Sequence, residues 1–237
     1  MKIDFKILQR YGLESIVILL SVIISFYIEN KRDLASKKNE KNQLLEDLIE
    51  TIEEDLKQLI NIQDKTTEAV KLINEIQNDI NSKNNILTKK EAVSKLLTAN
   101  VGVSFFPQEG IFNQLISTGS FELIESKELK GLLLKLYDHQ NNRNISISHM
   151  IDLYSLEYAE KVYLNFRIDF KNNNREGYIY GKRTIETFNF NNNYYISDEL
   201  YGLLSRGKRW GYQYDRLLGD ISQNYKKAKI FAEKELK

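Results

Sequence analysis

Residues 11–28 read YGLESIVILLSVIISFYI, and residues 29–81 continue as ENKRDLASKKNEKNQLLEDLIETIEEDLKQLINIQDKTTEAVKLINEIQNDIN, with neither proline nor glycine. From Ile16 to Ile28 only Ser21 and Ser25 interrupt the apolar run, and basic residues flank it, Arg10 before and Lys31 with Arg32 after. A helix from Arg10 to Lys31 rises roughly 31 Å, against a hydrocarbon core of about 30 Å. The expectation is a single transmembrane helix, with residues 1–30 forming a short tail and an anchor. Tyr11 and Tyr27, about 24 Å apart on such a helix, stand where aromatic side chains meet lipid headgroups. A cleaved signal peptide fits less well, because SFYIENKRDLASK offers no small-x-small cleavage site. A helix buried in a soluble core would not need charges at both ends.

The second half of the quoted stretch sets the fold class of the remainder. Leu45, Leu48, Ile52, Leu56 and Leu59 recur at three- and four-residue steps, and Val70, Ile73, Ile76 and Ile80 resume the pattern, the period of an amphipathic helix. Glu46, Asp47, Glu50, Glu53, Glu54 and Asp55 are expected on its solvated face, and Thr66 with Thr67 mark a bend. The reading is a stalk that prolongs the anchor. An Asn-rich turn follows at 82–87, then Thr88 with Glu91 makes a capping box that opens a helix to about Thr98, so residues 31–100 form a helical hairpin.

Residues 101–237 read as the rest of an all-α bundle. VGVSFFP crosses in extended form, and Pro107 begins a short helix to Thr118 stopped by Gly119. Ser126 caps a long helix from Lys127 to about Phe170. YIYGKRTIETF suggests a small hairpin about Gly181, within 178–188. Ser197 caps a short helix to about Ser205, Gly207 and Gly211 punctuate, and a last helix runs from Tyr212 to Leu236.

Two blocks of the chain resemble a large family of bacterial single-pass membrane proteins known only as a domain of unknown function. The first carries Tyr11, Glu14, Ser21, Ser25 and Asn30, although Leu13 stands where that family has glycine and the tryptophan after the exit is missing. The second is FNQLISTGSFELIESKELKGLLLKLY, with Phe112, Leu115, Ser117, Gly119, Phe121, Leu123, Ile124, Leu129 and Tyr137 at matching positions. The resemblance implies an N-terminal anchor followed by a helical domain, and it supplies no activity.

Chemistry-bearing patterns are scarce. There is no cysteine, and only His139 and His149 are available, neither at the helical spacing that pairs metal ligands. No phosphate-cradling loop, dinucleotide fingerprint or nucleophile elbow occurs. A net charge of +1 over 237 residues argues against general nucleic-acid binding. No cofactor or metal is expected, and no enzyme.

Glu14 lies one turn inside Arg10, where a carboxylate can pair across that turn at a helix start. The other reading is a seam of Glu14, Ile18, Ser21, Ser25 and Ile28 along which a second anchor helix packs, with Ser21 and Ser25 as a small-xxx-small pair. Arg10, Tyr11, Tyr27, Lys31 and Arg32 are expected at the membrane interface. Basic residues after the anchor (Lys31, Arg32, Lys37, Lys38, Lys41) outnumber those before it (Lys2, Lys6, Arg10), which slightly favours a cytoplasmic soluble part, while a short basic tail before the anchor also suits a signal anchor with an exported domain. The functional expectation is a non-enzymatic sensor or scaffold at a bacterial inner membrane, with lipid bilayer, further copies of itself and a protein as partners. The alternative is a membrane-perturbing effector whose clustered anchors open a pore.

Overall fold

The computed structural model describes residues 5–83, 86–173 and 182–237. The chain is mostly helical, with one small antiparallel sheet. Helix α1 spans Phe5–Asn81. It is followed by α2 (Lys89–Thr98), α3 (Gly110–Ser117), a single 3-10 turn (Ser120–Leu123), α4 (Lys127–Leu134) and α5 (Asn141–Phe166). Strands β1 (Asp169–Asn173) and β2 (Lys182–Thr187), a one-turn α6 (Asn192–Tyr195) and α7 (Asp198–Glu235) complete it.

The spine is an antiparallel pair, α1 against α7. Polar contacts at matched heights show the register: Gln77 donates to Ser205 (2.8 Å), Gln63 to Asp215 (3.0 Å), Lys229 to Glu53 (2.6 Å) and Lys41 to Glu235 (3.0 Å). Between them lie Leu45, Leu48, Ile52, Leu59, Ile62, Ile73 and Ile76 of α1, all fully buried. Each such side chain contributes about 1.5–3 kcal/mol by leaving water. Leu56 and Ile80 are half-buried at the edges. The helix does not break at Thr66, where a bend is expected. Thr66 is buried, and its hydroxyl donates to the Ile62 carbonyl at 2.9 Å, so α1 passes through it unbroken.

Local signals place the other helix starts. Thr88 and Glu91 make the reciprocal capping box, and Ser126 and Ser197 accept from Leu129 and Leu200. Gly119 takes a left-handed φ of 76° after α3. Three expectations are corrected. First, the helix after Pro107 begins only at Gly110, because the Gln108 N–H is turned to the Asp55 carboxylate at 3.2 Å. Second, the long helix from Lys127 ends at Phe166, where Arg167 adopts a φ of 41°, and residues 135–140 open into a π-helical turn. That wider turn lets Leu136, Tyr137, Gln140 and Asn141 all face inward.

Third, Gly207 and Gly211 do not interrupt the C-terminal helix, which is continuous from Asp198 to Glu235. They are contact positions: a Cβ on Gly207 would strike the Tyr154 hydroxyl, and one on Gly211 would strike Val70 Cγ2. Helices close enough to touch there need a residue without a side chain.

The expected hairpin about Gly181 is met in part. Residues 182–187 are a strand, but its partner is Asp169–Asn173, with Phe170 opposite Ile185; residues 178–181 lie outside the described ones. Burial of Ile185 and packing of Phe170 on Tyr163 join this sheet to the end of α5.

Among the described residues no helix is long and apolar enough to cross a membrane, so the expected transmembrane span gains no support from them. Described side chains begin at Glu14, and the apolar run from Ile16 to Ile28 covers about 20 Å by itself.

Candidate functional site

The N-terminal part of α1 stands clear of the body. Every residue from Glu14 to Glu40 is exposed, and burial begins at Lys41. The large apolar side chains between Ile16 and Ile28 are 45 to 65% exposed, whereas Leu45 and Leu48 on the same helix are fully covered. Glu14, Ile18, Ser21, Ser25 and Ile28 share one continuous helix, so their three- and four-residue steps place them along one side of it. Ser21 donates to the Val17 carbonyl and Ser25 to the Ser21 carbonyl, both at 2.8 Å. Lys31 sits over the Tyr27 ring, 5.1 Å from its centroid, and Arg32 is exposed beside it. The side chains of Arg10 and Tyr11 lie outside the described ones, and the expected Arg10 to Glu14 pair with them.

Residues 29–40 form an exposed neck of helix that meets the body where Lys38 lies 3.9 Å from Glu125, and a buried ion pair fastens its base. Lys41 and Glu235 meet at 3.0 Å with side chains only 2% and 5% exposed. Glu235 also accepts from the backbone N–H groups of Glu125 (2.7 Å) and Ser126 (2.9 Å). Burial alone would raise its carboxyl. The two N–H donors and the Lys41 ammonium outweigh that and hold it below the usual carboxylate range. One carboxylate therefore locks together the neck, the start of α4 and the end of α7.

Above this junction the extended segment 99–109 threads between the helices, and side chains satisfy its backbone. Phe105 donates to Tyr214 (2.7 Å) and accepts from Asn144 (2.9 Å), Phe106 donates to Gln58 (2.8 Å), and Gln108 donates to Asp55. A buried non-helical backbone needs such partners. Asp55, expected on the solvated face, is fully buried and also accepts from the Tyr225 hydroxyl at 2.9 Å. Burial raises its carboxyl above the usual value, opposed in part by the Gln108 N–H and the Tyr225 hydroxyl. The Tyr225 hydroxyl is raised in turn by burial, by Tyr137 and by Asp55. Nearby, Glu109 accepts from Asn141, whose Oδ1 is buried without a hydrogen-bond partner among the described residues.

A third buried ionisable side chain, Asp79, holds the far end. It accepts from the N–H groups of Ile86 (2.8 Å) and Leu87 (2.9 Å) and from the Tyr195 hydroxyl (2.8 Å). Lys41, Asp55 and Asp79 thus organise the base, middle and top of the body; the sequence placed Lys41 and Asp55 among solvent-facing charges and did not mark Asp79. Their partners lie from 7 to 194 positions away, beyond any local pattern.

A shallow cleft of about 190 Å³ between α5 and α7 is lined by Glu157, Lys161, Glu199, Gly202, Leu203 and Arg206. Its charges pair with one another, Lys161 with Glu199 at 2.7 Å and Arg206 with Glu157. His139 and His149 are both exposed and ten positions apart on one helical run. Among the described residues no group of three or more His, Asp or Glu could hold a metal ion. No family model, curated protein or solved structure matches the chain.

Proposed function

We propose that this chain is a membrane-tethered helical interaction module of the bacterial inner membrane, a non-enzymatic sensor or scaffold whose anchor helices self-associate. The observation that carries the reading is the exposed apolar run of Ile16–Ile28 on a helix whose other end is the spine of the body. Eleven large apolar side chains left half in water cost on the order of 10 kcal/mol of unrealised burial, and a lipid phase supplies that burial. The described part of the run is short for a bilayer, and the preceding residues from Arg10 lengthen it to roughly 27 Å, or roughly 31 Å when counted to Lys31. Tyr27, Lys31 and Arg32 then fall at the headgroups.

Within the anchor, the side bearing Ser21 and Ser25 is the narrow one, and a second anchor helix packs along Glu14, Ile18, Ser21, Ser25 and Ile28. Both serine hydroxyls donate back to their own helix, which leaves little polarity to line a pore and favours the scaffold over a membrane-perturbing effector.

The test is fractionation of cells expressing the full chain. It should remain in the membrane pellet after alkaline carbonate, and Leu20→Lys with Ile24→Lys should release it while the body keeps its helical circular dichroism. Recovery of the unaltered chain in the soluble fraction would sink the reading.

A further inference from the structure

Helices α1 and α7 lie side by side. α1 buries its inner side against α2 and α3, α7 buries its own against α4 and α5, and α2 packs on α5 in turn, so the open faces of the pair point the same way, out of the body. On α1, Glu46, Glu50, Lys57, Asp64 and Glu68 are exposed, and at 100° per residue they fall within an arc of about 40°. On α7, Arg216, Asp220, Gln223, Lys227 and Lys234 are exposed, within an arc of about 60°. One stripe is acidic and its neighbour basic. At their shared edge Glu53 pairs with Lys229; among the described residues Glu46, Glu50, Asp64, Glu68, Arg216 and Lys227 enter no ion pair. Along the same edge Ile60, Tyr212 and Ile230 are 54%, 58% and 51% exposed.

The contacts within the pair also fix heights. Lys41 is level with Glu235, Glu53 with Lys229, Gln63 with Asp215 and Gln77 with Ser205. By that register Glu46 is level with Lys234, Glu50 lies between Lys234 and Lys227, Asp64 is level with Arg216, and Glu68 with Tyr212. Lys57, the base within the acidic stripe, stands within a turn of Asp220, the acid within the basic one. We infer that the joint outer face of α1 and α7 is a homotypic docking surface, on which a second copy of this chain packs about a two-fold axis parallel to the helices, with α1 of each copy against α7 of the other. Rotation about that axis keeps every residue at its height, so each acidic position meets its level basic one, and each contact occurs twice, as an isologous interface requires. Ile60, Tyr212 and Ile230 lie near the axis and meet their own counterparts. The charge pattern selects this axis. One running across the helices would lay α1 on α1 and α7 on α7, acid on acid and base on base.

From Glu46 to Glu68 the face is about 33 Å long and two helices wide, about 20 Å. That is roughly 650 Å² on each copy, against about 800 Å² in a standard interface. A row of ion pairs around a narrow apolar line gives specificity and modest affinity, which concentration in a membrane raises. Both N-terminal segments leave the same end of the dimer, as two anchors in one bilayer must, and α1 stays unbroken. The two α1 helices stand on a diagonal of the four, about 14 Å apart. A tilt well within the usual value of about 20° brings their anchors together along Ser21 and Ser25. This last step rests on the membrane reading, while the pairing rests on the two stripes.

The chain has no cysteine, so Ile60→Cys reports the axis directly. Full chains carrying it, with tags of two sizes, are reconstituted at high density in phosphatidylcholine vesicles and treated with a short bismaleimide. The expected result is a linked dimer from Ile60→Cys and none from Ile145→Cys, which lies on α5 outside this face. Asp64→Arg or Arg216→Glu, added to the Ile60→Cys chain, should each lower the yield about fivefold or more, because each sets like charges together at two places. Mixed, the two variants should recover it as dimers holding both tags, since every such contact then joins an arginine to a carboxylate. No dimer from Ile60→Cys, an equal yield from Ile145→Cys, indifference to both reversals, or a mixture that fails to recover would each overturn the inference. In detergent at matched concentration the same products should form, and the carbonate extraction tests the anchor by itself, so the pairing and the membrane reading fail separately.

Discussion

Asp55 offers the sharpest test of the architecture. Replacing it with Ala removes the acceptor of the Gln108 N–H and of the Tyr225 hydroxyl, 3.2 and 2.9 Å away, and leaves the Tyr225 hydroxyl unpaired in a buried site and the Gln108 N–H unpaired at its edge. At about 1–3 kcal/mol for each stranded group, Asp55→Ala should cost about 4 kcal/mol, a fall in Tm of about 10 °C for a domain of this size. Asp55→Asn keeps the shape and an acceptor and should cost far less. The two also separate by pH. The folded-state carboxyl is raised above its unfolded value by burial, so its contribution is full below the unfolded value, near 4, and is lost as pH rises through the folded one. The stability of Asp55→Asn relative to the unaltered chain should therefore increase from pH 4 to pH 7. Thermal unfolding of the full chain in mild detergent, followed by circular dichroism at four pH values, measures both effects. An Asp55→Ala variant as stable as the parent, or an Asn variant whose stability difference is flat or falls with pH, would refute a buried carboxyl whose titration is raised by folding.

Two further outcomes follow from the packing. Lys41→Met leaves Glu235 as an unpaired buried carboxylate and should cost about 3–5 kcal/mol, while Lys41→Met with Glu235→Gln should recover most of it in the same unfolding experiment. Gly211→Ala drives a Cβ into Val70 Cγ2 and should destabilise by about 1–3 kcal/mol despite the better helix propensity of alanine. Gly202→Ala, on the same helix with nothing within 4 Å of the added carbon, should instead stabilise by up to about 1 kcal/mol, and the pair compared by chemical denaturation distinguishes packing from propensity.

Features carried by a few neighbouring residues were legible in the chain itself. The box of Thr88 and Glu91, the caps Ser126 and Ser197, and the stop at Gly119 each act within four positions, because a helix end is satisfied by side chains next to it. The apolar rhythm from Leu45 to Ile76 was equally direct, since helix periodicity and burial impose the same spacing. Asp55 was misread for the same reason. Among six acidic residues in ten positions it has no local mark, and only the crossing of Gln108 and the arrival of Tyr225 from α7 make one of them a core residue. Gly207 and Gly211 likewise look like punctuation until Tyr154 and Val70 are placed against them.

The sequence by itself determined an all-α body, the starts of its helices and an apolar N-terminal helix continuous with a long amphipathic one, because these depend on local propensity and period. Only the tertiary structure decided that α7 is one unbroken partner for α1, that the segment 99–109 is threaded through the bundle, and that Lys41, Asp55 and Asp79 are buried. Those outcomes depend on groups brought together from distant parts of the chain, where close packing and the cost of an unpaired buried charge choose among arrangements that local pattern leaves equal.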